Sequence, residues 1–228
     1  MMLVLLLAVL LEESVGSMSG RYCGSRPLFG FRFSGVLTFK GSEPLANFHF
    51  MLSERFFVFD EWISYTFDDE SGALVIQEDH GGYNEFLKSF GVGLSPKKFR
   101  SNWNQATDVI TSDISLPFGN KVTMLLTKEQ CRLNLRSGTY RSDRISVLVD
   151  TDSETLVITA DSRIPSHVVG TELKYSFDEI GSAQLMSVAD GSVVDSVRLE
   201  PVPNEPAIAL VFQDGSSNTS TGIVLYYK

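Results

Sequence analysis

Tyr65-Thr66-Phe67-Asp68 recurs as Tyr175-Ser176-Phe177-Asp178, 110 residues downstream. Over 63–76 against 173–186 the two windows share Tyr, Phe, Asp and Ala, and conservative pairs such as Ile63 with Leu173 extend the match. Two further matches fall upstream in the same order: Ser19-Gly20-Arg21-Tyr22 with Ser137-Gly138-Thr139-Tyr140, and Ser42-Glu43-Pro44-Leu45 with Ser153-Glu154-Thr155-Leu156. Their offsets, 118 and 111, drift as loop insertions would. Similarity at a fixed spacing marks a chain built from like units. The division expected is unit 1 over 18–130 and unit 2 over 131–228.

Within both units the apolar period is two, which marks strands. Phe29, Phe31 and Phe33 alternate, as do Ile63, Tyr65 and Phe67, then Leu173, Tyr175 and Phe177, then Ile208, Leu210 and Phe212. Turn-forming clusters such as Lys40-Gly41-Ser42-Glu43 and Asp68-Asp69-Glu70-Ser71-Gly72 punctuate them. Strands joined by short turns run antiparallel, because a parallel pair needs a long crossover. Phe56-Phe57-Val58-Phe59 and Ile223-Val224-Leu225-Tyr226-Tyr227 are apolar on both faces and call for cover on both sides. The fold class expected is all-β: two tandem, internally duplicated antiparallel β-meander units, barrel- or sandwich-like, packed against each other.

Unit 1 departs from this period around 82–110. Tyr83, Phe86, Leu87 and Phe90 have helical spacing, and a second run opens on Ser95-Pro96 and continues through Phe99, Trp103, Ala106 and Ile110. Serine followed by proline suits a helix start, so two short amphipathic helices are expected there. In unit 2 the matching stretch, Pro201-Val202-Pro203-Asn204-Glu205-Pro206, reads as an extended connector.

Residues 1–11 are an unbroken apolar run, followed by Glu12, Glu13 and small residues. This pattern resembles a secretory signal peptide over 1–17, cleaved after Ser17, and implies a secreted, extracellular protein. The run is too short to span a bilayer, which takes about 20 apolar residues. The net charge of −9 disfavours nucleic acid and anionic lipid as partners. Cys23 and Cys131 form an even count, which in an oxidising compartment favours a disulfide. Asn218-Thr219-Ser220 is a glycosylation sequon in a polar turn.

Fourteen of the 16 phenylalanines and both tryptophans lie in unit 1, so any aromatic-lined site belongs there. The lining candidates are Phe57, Phe59, Trp62, Tyr65, Phe99 and Trp103, although aromatic residues at strand spacing commonly just fill a core. Lys97-Lys98-Phe99-Arg100 is a basic patch best read as a solvated helix face. Asp150-Thr151-Asp152-Ser153-Glu154 with Asp161 echoes a calcium loop, but Thr155 stands where that loop needs glycine, and no metal or cofactor is expected. His49, His80 and His167 lie far apart in sequence and in no zinc motif. Glu78, Asp79 and His80 could form an acid/base cluster.

The Ser-Gly-x-Tyr opening of each unit resembles the Gly-x-Trp opening of lipocalins, with Tyr in place of Trp. That resemblance implies up-and-down barrels with an apolar cavity. The function expected first is a secreted, non-catalytic binding or interaction protein with a protein or glycan partner. The alternatives are a lipocalin-like carrier of an apolar small molecule in unit 1, and a hydrolase using Asp79 and His80.

Overall fold

A computed structural model describes residues 18–28, 31–68, 70–76, 81–89, 99–115, 121–131, 135–160, 164–178, 182–213 and 219–228. Its strands are β1 (Gly20–Leu28), β2 (Phe31–Phe39), β3 (Leu45–Leu52), β4 (Arg55–Phe59), β5 (Ile63–Asp68) and β6 (Ala73–Ile76), then helix α1 (Gly81–Ser89), β7 (Phe99–Asn104), β8 (Val109–Ser115) and β9 (Lys121–Leu126). After a single 3-10 turn, Glu129–Cys131, come β10 (Gly138–Arg141), β11 (Ile145–Asp150), β12 (Thr155–Ala160), β13 (Glu172–Phe177), β14 (Ala183–Ser187), β15 (Val193–Pro201), β16 (Ala207–Gln213) and β17 (Thr219–Tyr227). All strand pairs are antiparallel. The fold is all-β and barrel-like.

Strands β10 to β17 pair in order, and β17 returns to β10 at Tyr227↔Tyr140, closing an eight-stranded barrel. Unit 1 follows the same course from β1 through β3, β5 and on to β9. Cys23 and Thr127 close that cycle with reciprocal backbone hydrogen bonds of 3.0 and 2.9 Å. Strand β4 stands outside the cycle, paired on one side with β3 and on the other with β17. It joins the two barrels edge to edge.

The registers of the two units agree closely. Leu45 faces Ser64 as Thr155 faces Lys174, and the Tyr65 and Tyr175 N–H groups each donate 3.0 Å to the carbonyls of Pro44 and Glu154. This is an offset of 110 throughout, so the Ser-Glu match at 111 is one residue out. A slip of one would turn every side chain to the opposite face of the strand, and the buried pair is Ala46 with Leu156, not Leu45 with Leu156.

Eight strands enclose a space that side chains can just fill. In unit 1 aromatic rings do most of the filling: Tyr22, Phe39, Phe48 and Phe59 are all at most 2% exposed, and Ile63 lies among them. Helix α1 adds Tyr83, Phe86 and Leu87, with Tyr83 5.0 Å from Phe48 and Phe86 5.4 Å from Phe59 between ring centroids. In unit 2 the filling is aliphatic, from Val147, Leu156, Ile158, Leu185 and Leu210 among others, with Ile164 and Val168 of the β12–β13 connection joining the same core.

The helix expected from Ser95 onward is replaced by a hairpin. Residues 90–98 lie outside the described residues, and β7 and β8 pair with Trp103 opposite Ile110. The three- and four-residue steps that suggested a helix are same-face and cross-strand neighbours around a turn. Asn104 accepts the Thr107 N–H at 3.2 Å, and Asp108 takes a positive φ of 51°. These local bonds favour a turn over a helix, and the β-branched run Val109-Ile110-Thr111 favours the strand that follows. The Pro201–Pro206 connector is the β15–β16 turn, in which Asn204 has a φ of 59°.

Candidate functional site

Strand alternation decides which side chains meet where the barrels touch. On β4, Phe57 and Phe59 point into the first barrel, while Phe56 and Val58 point away from it. Phe56 and Val58 pack with Met51 of β3 and with Val202, Ala207, Ala209, Val211 and Val224 of the second barrel. Small residues on β16 and β17 let the strands approach. A Cβ on Gly222 would stand 3.0 Å from the Leu210 carbonyl and 3.1 Å from Phe56. Beside this seam Cys23 and Cys131 form a disulfide, with 5.0 Å between Cα atoms, that packs with Val36.

A polar network is buried in the same seam. Arg21 of β1 donates to Ser182 at 2.7 Å, to Glu200 of β15, and to His49 Nδ1 at 3.1 Å. Ser182 in turn donates to Glu200 at 2.9 Å. Arg198 reaches Glu200 at 3.0 Å and Asp60 at 2.8 Å, and Ser220 donates to Asp60. Arg21, His49, Ser182 and Glu200 are all at most 4% exposed. Burial pulls the His49 pKa down to about 3, with Arg21 adding to the effect and Glu200 opposing it. Burial alone would raise the Glu200 carboxyl, but the Arg21 and Arg198 guanidinium groups hold it well below the usual range. The network is therefore a neutral histidine beside an ion pair. Although Ser, His and Glu are all present, Ser182 spends its proton on Glu200 and His49 turns Nδ1 to Arg21, so no activated nucleophile results.

A second polar cluster pins one end of the first barrel. Asp108 accepts from Tyr22 at 2.5 Å, from Trp103 Nε1 at 3.1 Å and from Lys128 at 2.9 Å. Burial works against its ionisation, but these donors hold the carboxyl below its ordinary value.

An open concavity among the described residues lies beside the seam. Strand β17 pairs with β4 along Thr219–Ile223 and with β10 at Tyr226 and Tyr227. Where one strand changes partner, the two hairpins beside it splay apart. The groove between them encloses about 820 Å³ and is lined by Arg32, Leu52, Ser53, Glu54 and Arg55 of the first barrel, and by Ser142, Asp143, Arg144, Ile223 and Tyr226 of the second. Arg32 is held by Glu205. Among the described residues, Arg55 and Arg144 have no ion-pair partner.

Of the aromatic candidates, Phe57, Phe59, Tyr65 and Trp103 gather in the first barrel's hydrophobic cluster. Trp62 lies apart, half-buried beneath the Lys40 ammonium at 5.6 Å, and Phe99 heads β7 opposite Ile114. Asp79, His80, Asp161, Asn218 and residues 1–17 lie outside the described residues. The Asp150–Glu154 turn closes on itself, with Asp150 accepting the Asp152 N–H at 3.0 Å. Among the described residues no cluster of His, Cys, Asp and Glu could hold a metal ion, and no helix is long and apolar enough to cross a membrane.

The fold and seam define a pair of closed antiparallel barrels joined through a shared strand and a buried ionic network, with a disulfide compatible with an extracellular protein. No protein-family model matches the chain, and no curated protein matches it significantly.

Proposed function

We propose that this is an exported, non-catalytic binding protein that takes a protein or glycan partner in the groove between its two barrels, the barrels themselves having arisen by internal duplication. The observation that carries this reading is the groove lined by both barrels. Both barrel interiors are occupied by their own side chains, whereas the concavity of about 820 Å³ opens between the barrels and has the size of a ligand site. The carrier of an apolar molecule is the weaker reading, because Tyr83, Phe86 and Leu87 occupy the volume such a ligand would need. A hydrolase would have to rest on Asp79 and His80, since the buried Ser182, His49 and Glu200 lack the required geometry. Secretion of the full-length chain and loss of residues 1–17 is the expected outcome of N-terminal sequencing of exported material.

The test is to fill the groove. Glu54→Trp combined with Ser142→Trp, screened against arrays of extracellular proteins and glycans, is expected to lose every partner the natural chain captures while unfolding at the same temperature. Capture that survives with the groove filled would refute this reading.

A further inference from the structure

Resting on that reading, we infer that the groove's ligand is a uronate-bearing glycan, with its carboxylates held by Arg55 and Arg144. These two arginines approach the concavity from hairpins of different barrels, Arg55 following the tight β3–β4 turn at Ser53 (φ 57°) and Arg144 in the β10–β11 turn. Both are exposed, and neither has an ion-pair partner among the described residues. Two free guanidinium groups facing one space run against the trend of a chain whose net charge is −9. A guanidinium presents a planar fork that matches a carboxylate with two parallel hydrogen bonds.

The remaining lining narrows the class. Glu54 and Asp143 stand beside the arginines. They repel a dense polyanion such as nucleic acid or a run of acidic side chains, yet accept hydrogen bonds from neutral hydroxyl groups. Ser53 and Ser142 add donors and acceptors, and the 36%-exposed Tyr226 ring with Ile223 offers a flat apolar face for a sugar ring. A polymer with one carboxylate and several hydroxyls per ring satisfies cations, acceptors and apolar floor together. A glutamate-rich peptide meets the cations and, through backbone N–H groups, the acceptors, but brings no ring for the apolar floor.

The experiment titrates the full mature chain calorimetrically with an oligogalacturonate, with the same oligosaccharide after reduction of its carboxyls, and with a glutamate oligomer of equal charge. The oligogalacturonate is expected to bind at least 10-fold more tightly than either comparator. Arg55→Gln and Arg144→Gln are each expected to weaken it about 10-fold with no change in thermal unfolding. Equal binding of the reduced sugar, or indifference to both arginine variants, overturns the inference. Equal or tighter binding of the glutamate oligomer overturns the glycan and leaves the groove as a peptide site. Should none of the probes bind, the uronate assignment fails, while the groove-filling test still decides the broader reading.

Discussion

Arg21 occupies the variable position of Ser-Gly-x-Tyr, where the second unit has Thr139, and that difference places a buried cation in the first barrel. Truncating one partner of such a pair leaves the other charge without compensation, at a cost of about 3–5 kcal/mol. Arg21→Met is therefore expected to lower unfolding free energy by about that amount in urea titration, and Arg21→Met with Glu200→Leu by less than the sum of the two single changes. His49 supplies a pH dependence with a definite sign. Its folded pKa of about 3 lies below the ordinary 6.5, so the unfolded chain binds the proton more readily and stability is lost as pH falls below about 6.5. Glu200, also depressed, adds a loss in the same direction at lower pH, as folding then opposes its protonation. The slope from one such group is at most about 1.4 kcal/mol per pH unit. His49→Asn, which keeps an acceptor near Nδ1 and cannot charge, is expected to flatten unfolding free energy between about pH 6.5 and 4.5. An unchanged slope would show that another group titrates there.

At the scale of elements, barrel closure is the demanding step. Strand β1 crosses β9 at Gly24, where a Cβ would stand 2.2 Å from the Leu125 carbonyl and 2.7 Å from Leu126 Cδ2. Gly24→Ala is expected to destabilise by at least about 2 kcal/mol, since neighbouring backbone cannot yield as a flexible side chain would; differential scanning calorimetry measures it. The strands themselves were legible, because Tyr65, Phe67, Tyr175 and Phe177 carry a clean period of two and polar turns separate them. The β7–β8 hairpin was not, since Phe99, Trp103 and Ile110 fit a helix and a hairpin equally well. Asn104 and Asp108, which seat the turn and tie it to Tyr22, act through bonds that spacing alone does not reveal. Helix α1 was legible in Tyr83, Phe86 and Leu87, yet its role as filling for the first barrel was not.

Taken whole, the molecule is two barrels that are expected to unfold together. Strand β4 belongs to both sheets, and the seam buries Met51, Phe56, Val202 and Ala209 along with the ionic network. Trp62 and Trp103 both lie in the first unit, so their fluorescence follows that unit alone while far-ultraviolet dichroism follows both. Coincident urea transitions by the two probes are expected, and separated ones would show that the seam does not couple the barrels. The Cys23–Cys131 bridge spans 108 residues, and in the chain-entropy account such a closure stabilises by roughly 4–5 kcal/mol. Cys23→Ser with Cys131→Ser is expected to lower the midpoint of thermal unfolding accordingly, and the natural chain should show no free thiol under denaturing conditions.

Local chemistry alone determined the all-β class and the turns, because alternation and turn residues act over a few positions and need no knowledge of neighbours; the cysteine count only favoured a pairing that the approach of Cys23 and Cys131 decided. Tertiary structure decided that the units close into barrels, that aromatic residues fill the first instead of lining a cavity, and that Arg21, His49, Arg198 and Glu200 meet. The reason is physical. A polar residue on the outer face of a strand reads as solvated until a second sheet covers it, and only the shared strand β4 brings that sheet into place.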